Sequence, residues 1–170
     1  ISQGTNLDEI LKIVVEKSRL LANSETVYLL FREEAQESFS MKIAEGPCAV
    51  TLLKIKASPK EAFFEKTVNI NKPLIIDKQN LSDKNLSADF CAKFRLKNTL
   101  ALPVYLRGKI IAVLGIGNTK DSFLYRKEDV ELLDIFAKQI AIAAENDILM
   151  HRVEKLEIRD ALTGLFNKEF

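Results

Sequence analysis

The stretch "NTLALPVYLRGKIIAVLGIGN", Asn98 to Asn118, decides the fold. Two apolar runs meet at Arg107-Gly108, a two-residue loop that places glycine where a hairpin turn can require positive φ. Ile110, Ala112, Leu114 and Ile116 alternate onto one face, and Ile111 and Val113 onto the other. Both faces are apolar, so these strands belong centrally in a sheet with a layer on each side. Pro103 forfeits one ladder hydrogen bond, which predicts a bulge or an edge position there.

Upstream, Asn6 followed by Glu9 is a capping signal, and Leu7, Ile10, Leu11, Val14, Val15 and Leu21 recur at helical spacing, predicting a helix from Leu7 to Ala22. "ETVYLLF" (Glu25 to Phe31) and "SFSMKIA" (Ser38 to Ala44) flank the polar "REEAQE" and predict an antiparallel hairpin. "VTLLKIK", Val50 to Lys56, reads as a third strand. "SPKE" at Ser58 to Glu61 sets Ser as N-cap, Pro at the first helical position and Glu at the third, and opens a short helix to about Val68. "KPLIID" (Lys72 to Asp77) is a short strand, "KQNLSDKNLS" a loop, and "ADFCAKFRL" (Ala88 to Leu96) a short helix.

Downstream, Leu124 to Thr163 lacks Gly and Pro and reads as one extended helix, which Gly164 can close. Leu133, Ala137, Ile140, Ala144 and Ile148 form one stripe that can pack on the sheet. A second stripe repeats every seven residues: Ile135, Ile142, Leu149 and Leu156 at d, with Gln139, Asn146, Val153 and Asp160 at a. It needs its own partner, and a parallel coiled-coil homodimer supplies one. Each Leu, Val or Ile fully buried there contributes roughly 1.5–3 kcal/mol. Asn146 costs stability but fixes register. The alternative is a long exposed helix held by pairs such as Glu154 with Arg159.

Composition sets the boundaries. A chain of 170 residues, 47% hydrophobic, can bury a core of its own. Its 25 basic and 24 acidic residues give no bulk field for nucleic acid or anionic lipid. No apolar run reaches membrane-span length and no signal-peptide layout opens the chain, so the expectation is a cytoplasmic domain, with an upstream membrane anchor left open. Cys48, Cys91 and a distant histidine make neither a disulfide scaffold nor a zinc site.

The predicted class is α+β: an antiparallel sheet flanked by helices, with a long C-terminal helix. In that order, and through "NTLALPVYLRGKIIAVLGIGN…F…EDVELLDIFAKQIAIAAEN", the chain resembles a GAF domain over residues 6–146. Asn118, Lys120, Phe123 and Asp129 are similar to the family's Asn-Lys…Phe…Asp-Glu motif, with Glu128 before Asp129 reversing the last pair. The ending "DALTGLFNKEF" resembles the "D-x-L-T-G-L-x-N-R-R-x-F" that opens a GGDEF domain, with Lys168 and Glu169 where arginines are usual. The resemblance implies a sensor domain (6–146), a coiled-coil signalling helix (147–163) and the first residues of a truncated diguanylate cyclase domain (164–170). Such a cyclase joins two GTP molecules held by two catalytic domains, so dimer geometry would set its rate. No catalytic residue is expected in the chain itself.

The resemblance also places a ligand pocket beside Phe63, Phe64, Phe90, Cys91 and Phe94, with Asn98 and Thr99 as polar donors; the four phenylalanines read equally well as core. A bilin-binding relative carries His beside its attachment cysteine, where Ala92 stands, so bilin is not expected. Haem is not expected either, because His151 lies on the signalling helix. A thiol enzyme similar to free-methionine-sulfoxide reductases is the catalytic alternative: Cys91 suits one cysteine position, but Ser58 holds the other, and Cys48 comes about ten residues early. The remaining alternative is a dimerisation scaffold without ligand.

Overall fold

The computed structural model describes residues 6–33, 37–70, 72–80, 84–120 and 123–167, with 66, 68–70, 84, 85 and 154–167 described by backbone alone. Helix α1 (Leu7–Leu21) opens the fold, and the Asn6 side chain caps it by accepting from the Glu9 N–H at 3.1 Å. Strands β1 (Thr26–Arg32) and β2 (Phe39–Glu45) follow as an antiparallel pair. Next come α2 (Ala49–Leu52), β3 (Lys56–Ala57), α3 (Ala62–Ile70), β4 (Leu74–Ile76) and α4 (Lys84–Phe94). Strands β5 (Asn98–Leu106) and β6 (Lys109–Asn118) form the expected hairpin, with Arg107 and Gly108 both at positive φ, and α5 (Lys127–Asn167) closes the chain.

The six strands form one antiparallel sheet in the order β3-β2-β1-β6-β5-β4. Alternation divides its side chains between two cores. Val27 and Leu29 face the layer of α1 and α5, where Leu11, Val15, Leu133 and Ile140 are completely buried. Tyr28 and Leu30 face the layer of α2, α3 and α4, with Phe39, Phe64, Phe90 and Phe94. The hairpin is therefore sheathed on both sides, as its apolar faces demanded.

Several expectations need correction. "VTLLKIK" is mostly not a strand: Leu52 and Ile55 are buried while Val50 and Leu53 are exposed, a spacing of three that suits the helical turn of α2 and leaves only Lys56–Ala57 to pair with β2. Ile110 and Ile111 sit on the opposite faces from those their alternation implied. The ladder slips between Val104 and Tyr105, pairing Ala112 with Val104 but Ile110 with Tyr105, so Ile111 is the extra residue. Ile110 consequently joins the α3/α4 core with Val113.

Pro103 does occupy an edge: β4 pairs only as far as Ala101, so β5 is unpaired on that side at the proline. Helix α4 begins at Lys84, inside the supposed loop, and α5 begins at Lys127, not Leu124. Gly164 does not end α5, which continues through it to Asn167. A lone glycine disfavours a helix by about 1 kcal/mol but keeps its N–H for the ladder. The pair Glu154 with Arg159 and the centre of "REEAQE" lie outside the described side chains.

Candidate functional site

The residues expected to line a pocket converge under α3 and α4, where they pack on one another. Phe90 stacks on Phe94 with centroids 4.4 Å apart, and Phe63 meets both edge-on at 5.8 and 5.4 Å. Phe64 lies edge-on to Phe39 at 4.9 Å. Tyr28 reaches up from β1 to Phe94 at 5.2 Å, and its hydroxyl bonds Thr99 at 2.6 Å, while Thr99 donates to the Ile116 carbonyl. Burial pushes the Tyr28 phenol well above its usual range, so it stays protonated and can only act as a neutral partner. These rings are at most 3% exposed. Arranged so, they form an aromatic core between sheet and helices.

Asn98 is equally occupied. Its side-chain oxygen accepts from the Asn118 N–H and from the Tyr125 hydroxyl, and its amide donates to the Lys120 carbonyl at 2.8 Å. Asn118 in turn accepts from the Glu25 N–H at 3.0 Å, and Asp129 accepts from the Arg126 N–H at 2.8 Å. The Asn-Lys…Phe…Asp motif thus ties the sheet's end to the start of α5. Cys91 is half-buried on α4 with Sγ 3.7 Å from the Lys97 carbonyl, and Cys48, which precedes α2 rather than a strand, lies 3.9 Å from the Arg95 carbonyl. Among the described residues no cluster of three His, Cys, Asp or Glu side chains is placed to hold a metal ion.

On the outer side of these helices a groove of about 460 Å³ runs between Glu61, Phe63, Asp89 and Lys93. Lys93 spans its floor, donating to the Lys56 carbonyl and to Glu61, both at 2.6 Å. Glu61 also accepts from the Ser58 N–H at 2.8 Å, the reciprocal half of the predicted capping box, although α3 itself starts at Ala62.

Sequence reasoning missed Asp77. It is 3% exposed at the end of β4, where its carboxylate accepts from the Gln79 and Asn80 N–H groups, from the Asn80 amide at 2.8 Å, and from the Tyr125 N–H at 2.9 Å. Lys78 adds a backbone bond to the Phe123 carbonyl. One carboxylate therefore pins the loop before α4 to the segment that leads into α5. Burial alone would push this carboxyl up, but the bonds from Tyr125, Asn80 and Gln79 outweigh it and hold it below its usual range. Its stabilising contribution is complete above the unfolded value of about 3.9 and is lost as pH falls through the lower folded one. Urea titrations at pH 6 and pH 3 should show wild type losing more stability on acidification than Asp77→Asn; equal losses would contradict the assignment.

Along α5 the structure buries one face and leaves bare the other, the stripe expected to meet a second helix. Leu133, Ala137, Ile140 and Ala144 are buried, whereas Ile135, Ile142, Leu149 and Val153 are 54%, 61%, 43% and 51% exposed. Asn146 is exposed beside them, and every side chain from Ile148 to Val153 is exposed, so the helix has left the globule there. The Leu156 side chain lies outside the described residues. His151 projects from this stretch and bonds the Asp147 carbonyl at 2.8 Å. No described helix is long and apolar enough to cross a membrane.

Comparison with known proteins agrees with this architecture. The family model described as a GAF domain matches residues 4–145. Among solved structures, the chain superposes on a methyl-accepting chemotaxis protein fragment with a TM-score of 0.72 at 19% identity, covering 85% of this chain and 92% of that one. A GAF domain/HD domain protein from Geobacter sulfurreducens gives 0.69 at 16% identity, covering 86% and 97%. The phycoerythrobilin-bound GAF domain of a cyanobacterial phytochrome gives 0.74 at 13% identity, covering 88% and 91%. At such identities the likeness shows the fold. In sequence, 85 residues are 29% identical to hybrid signal transduction histidine kinase G of Dictyostelium discoideum, a match over 49% of this chain and 2% of that protein. The chain therefore spans a small part of that relative's length.

Proposed function

Because this chain belongs to the GAF family, the regulatory and sensory domains of signalling proteins, we propose that it works as a homodimer that hands a conformational change along α5 to a following diguanylate cyclase domain. The observation that carries this reading is the bare stripe Ile135, Ile142, Leu149 and Val153, spaced by sevens and a four, on a helix that runs on past the globule. Apolar side chains at that spacing favour a matching helix over water. The output is assigned from "DALTGLFNKEF", which resembles the opening of a GGDEF domain. A stimulus can shift such a dimer only if it favours one helix arrangement over another.

Replacing Leu149, Val153 and Leu156 together by serine should give a monomer with an intact sheet in sedimentation velocity; an unchanged dimer would remove the seam as the main contact. The cyclase assignment is tested by the reading frame beyond Phe170, which should encode a GGDEF signature and yield cyclic di-GMP from GTP. A ligand-free dimerisation scaffold is the second reading, and the closed packing of Tyr28, Phe63, Phe90 and Phe94 favours it. Native mass spectrometry separates the two: a co-purified small molecule supports sensing, and an apo dimer that no metabolite stabilises supports the scaffold.

A further inference from the structure

The aromatic core beneath α3 and α4 is closed, but the layer on the other side of the sheet is unfinished where α5 leaves the globule. A cavity of about 260 Å³ opens there between four elements. Leu7 begins α1, Phe31 ends the inward run of β1, Leu106 and Ile111 stand near the tip of the β5–β6 hairpin, and Ala144 and Ile148 belong to α5. Leu7, Phe31, Leu106 and Ile111 are only half-buried, so the protein's own side chains do not complete this end of the core. The bulge accounts for the gap. Ile111 is the extra residue of β6, and the slip that inserts it bends the hairpin tip, which then does not close against α5.

The walls are hydrocarbon, and the charges around the mouth cancel. Lys42 stands over the Phe31 ring at 5.6 Å but is paired with Asp8 at 3.0 Å, and Arg107 is paired with Glu145. Arg32 and Asp147, the two charged residues of the lining, are of opposite sign. A charged ligand would give up its hydration here without meeting a surplus counter-charge, whereas an uncharged one has little hydration to lose. One polar feature remains on the hairpin side. Val130 and Asp134 share a second cavity with Pro103 and Tyr105 and so mark the β5 flank of α5; at 100° per residue Glu145 falls on that flank too. One of its carboxylate oxygens holds Arg107, while Oε2 is buried with no hydrogen-bond partner among the described residues. A buried acceptor without a donor is costly, and a ligand hydroxyl supplies one.

We propose that this cavity binds a small uncharged alcohol, its apolar body against Leu7, Phe31, Ile111 and Ile148 and its hydroxyl donating to Glu145. Size fits that class. An apolar cavity of roughly 150 Å³ stays dry and takes up benzene, so this one holds a ring with a short chain, about ten non-hydrogen atoms. The site lies across the sheet from Phe63, Phe90 and Phe94, so it does not compete with their packing. It also bears on the output helix. A molecule seated here touches α5 on one side and α1, β1 and the hairpin on the other, at the level where the α5 side chains become exposed. It therefore binds the arrangement in which α5 is seated better than any in which α5 has tilted away, which is what a ligand needs in order to shift the balance. Neither the dimer nor the cyclase domain is required for binding.

The test is calorimetric titration of the whole chain with phenethyl alcohol and with three probes of the same shape: phenethylamine, hydrocinnamate and the alcohol's methyl ether. The alcohol should bind with a dissociation constant of about 1 mM or tighter, and each charged probe at least about tenfold more weakly. The ether, which cannot donate, should also bind more weakly than the alcohol. Hydrogen exchange with the alcohol present should slow in α5 between Ala141 and Ile148 and at the hairpin tip. Leu106→Trp fills the cavity from the hairpin and Ile148→Trp from α5; either one that keeps the wild-type far-UV spectrum should weaken binding at least about tenfold. No binding of the alcohol at about 10 mM would overturn the proposal, as would binding that both filled variants leave untouched. Protection appearing in α3 and α4 instead would mean that the alcohol had entered the aromatic core, and equal affinity for the charged probes would refute the assigned class.

Discussion

Gly115→Ala should destabilise the domain by about 3 kcal/mol, the upper end for overpacking a well-filled core. The position faces Tyr28 across the β1–β6 ladder, and a Cβ built there comes within 2.0 Å of the tyrosine Cζ and 2.4 Å of its hydroxyl oxygen. The ring has no room to retreat: it is 1% exposed, packs on Phe94 and holds Thr99 through its hydroxyl. Tilting it away would leave two hydroxyls buried without each other. At roughly 2–4 °C per kcal/mol for a domain of this size, the melting temperature should fall by about 6–12 °C, measurable by circular dichroism. Adding Tyr28→Leu removes the far half of the ring, so the double variant should be less destabilised than the sum of the two single changes. Strict additivity, or a melt unchanged by alanine alone, would refute the close approach.

Asp77→Ala should have an effect of similar size, about 3 kcal/mol, for a different reason. Removing the carboxylate strands the buried N–H of Tyr125, a loss of roughly 1–3 kcal/mol, and leaves the N–H groups of Gln79 and Asn80, both on exposed residues, to water. Asp77→Asn should fall between, since one oxygen remains while its amide would meet the Tyr125 N–H donor to donor. Hydrogen exchange should quicken first at Tyr125 and in the opening turn of α5, because the Tyr125 N–H loses its buried acceptor. Protection unchanged there in the alanine variant would mean that the carboxylate does not hold the helix start.

What the sequence disclosed and what it withheld follow from range. The Asn98–Asn118 hairpin was legible because its signals are local: two apolar runs, a glycine turn and a proline that fits only an unpaired edge. The swap of Ile110 and Ile111 was not, since a bulge is fixed by how Tyr105 and Val104 pair across the ladder, and alternation within one strand cannot reveal it. "VTLLKIK" did carry its own correction, because Leu52 and Ile55 are three apart, but a seven-residue run offers too few turns to separate the two periods. Asp77 bonds a backbone group 48 positions away, so nothing near it announces the role beyond an Asx-type turn into Gln79 and Asn80. The four phenylalanines were legible as neighbours because two short helices carry them; their closure around Tyr28 depended on Gly115, a residue from another strand. On α1, Leu21 was counted with the inward stripe but points outward, and Ile13 and Leu20 went uncounted because a search for the core passes over apolar residues that face away from it.

Helix α5 spans 41 residues, and its side chains are in the open from Ile148 to Val153, where the described side chains end. The 19 residues from Leu149 to Asn167 make a rod of about 28 Å at 1.5 Å per residue. A rod of that length is a lever: a tilt of about 10° at its base would sweep its far end through about 5 Å, the width of a helical turn. Rearrangements at the base too small to disturb the packing of the sheet would thus arrive at Asn167 as displacements on the scale of whole side chains.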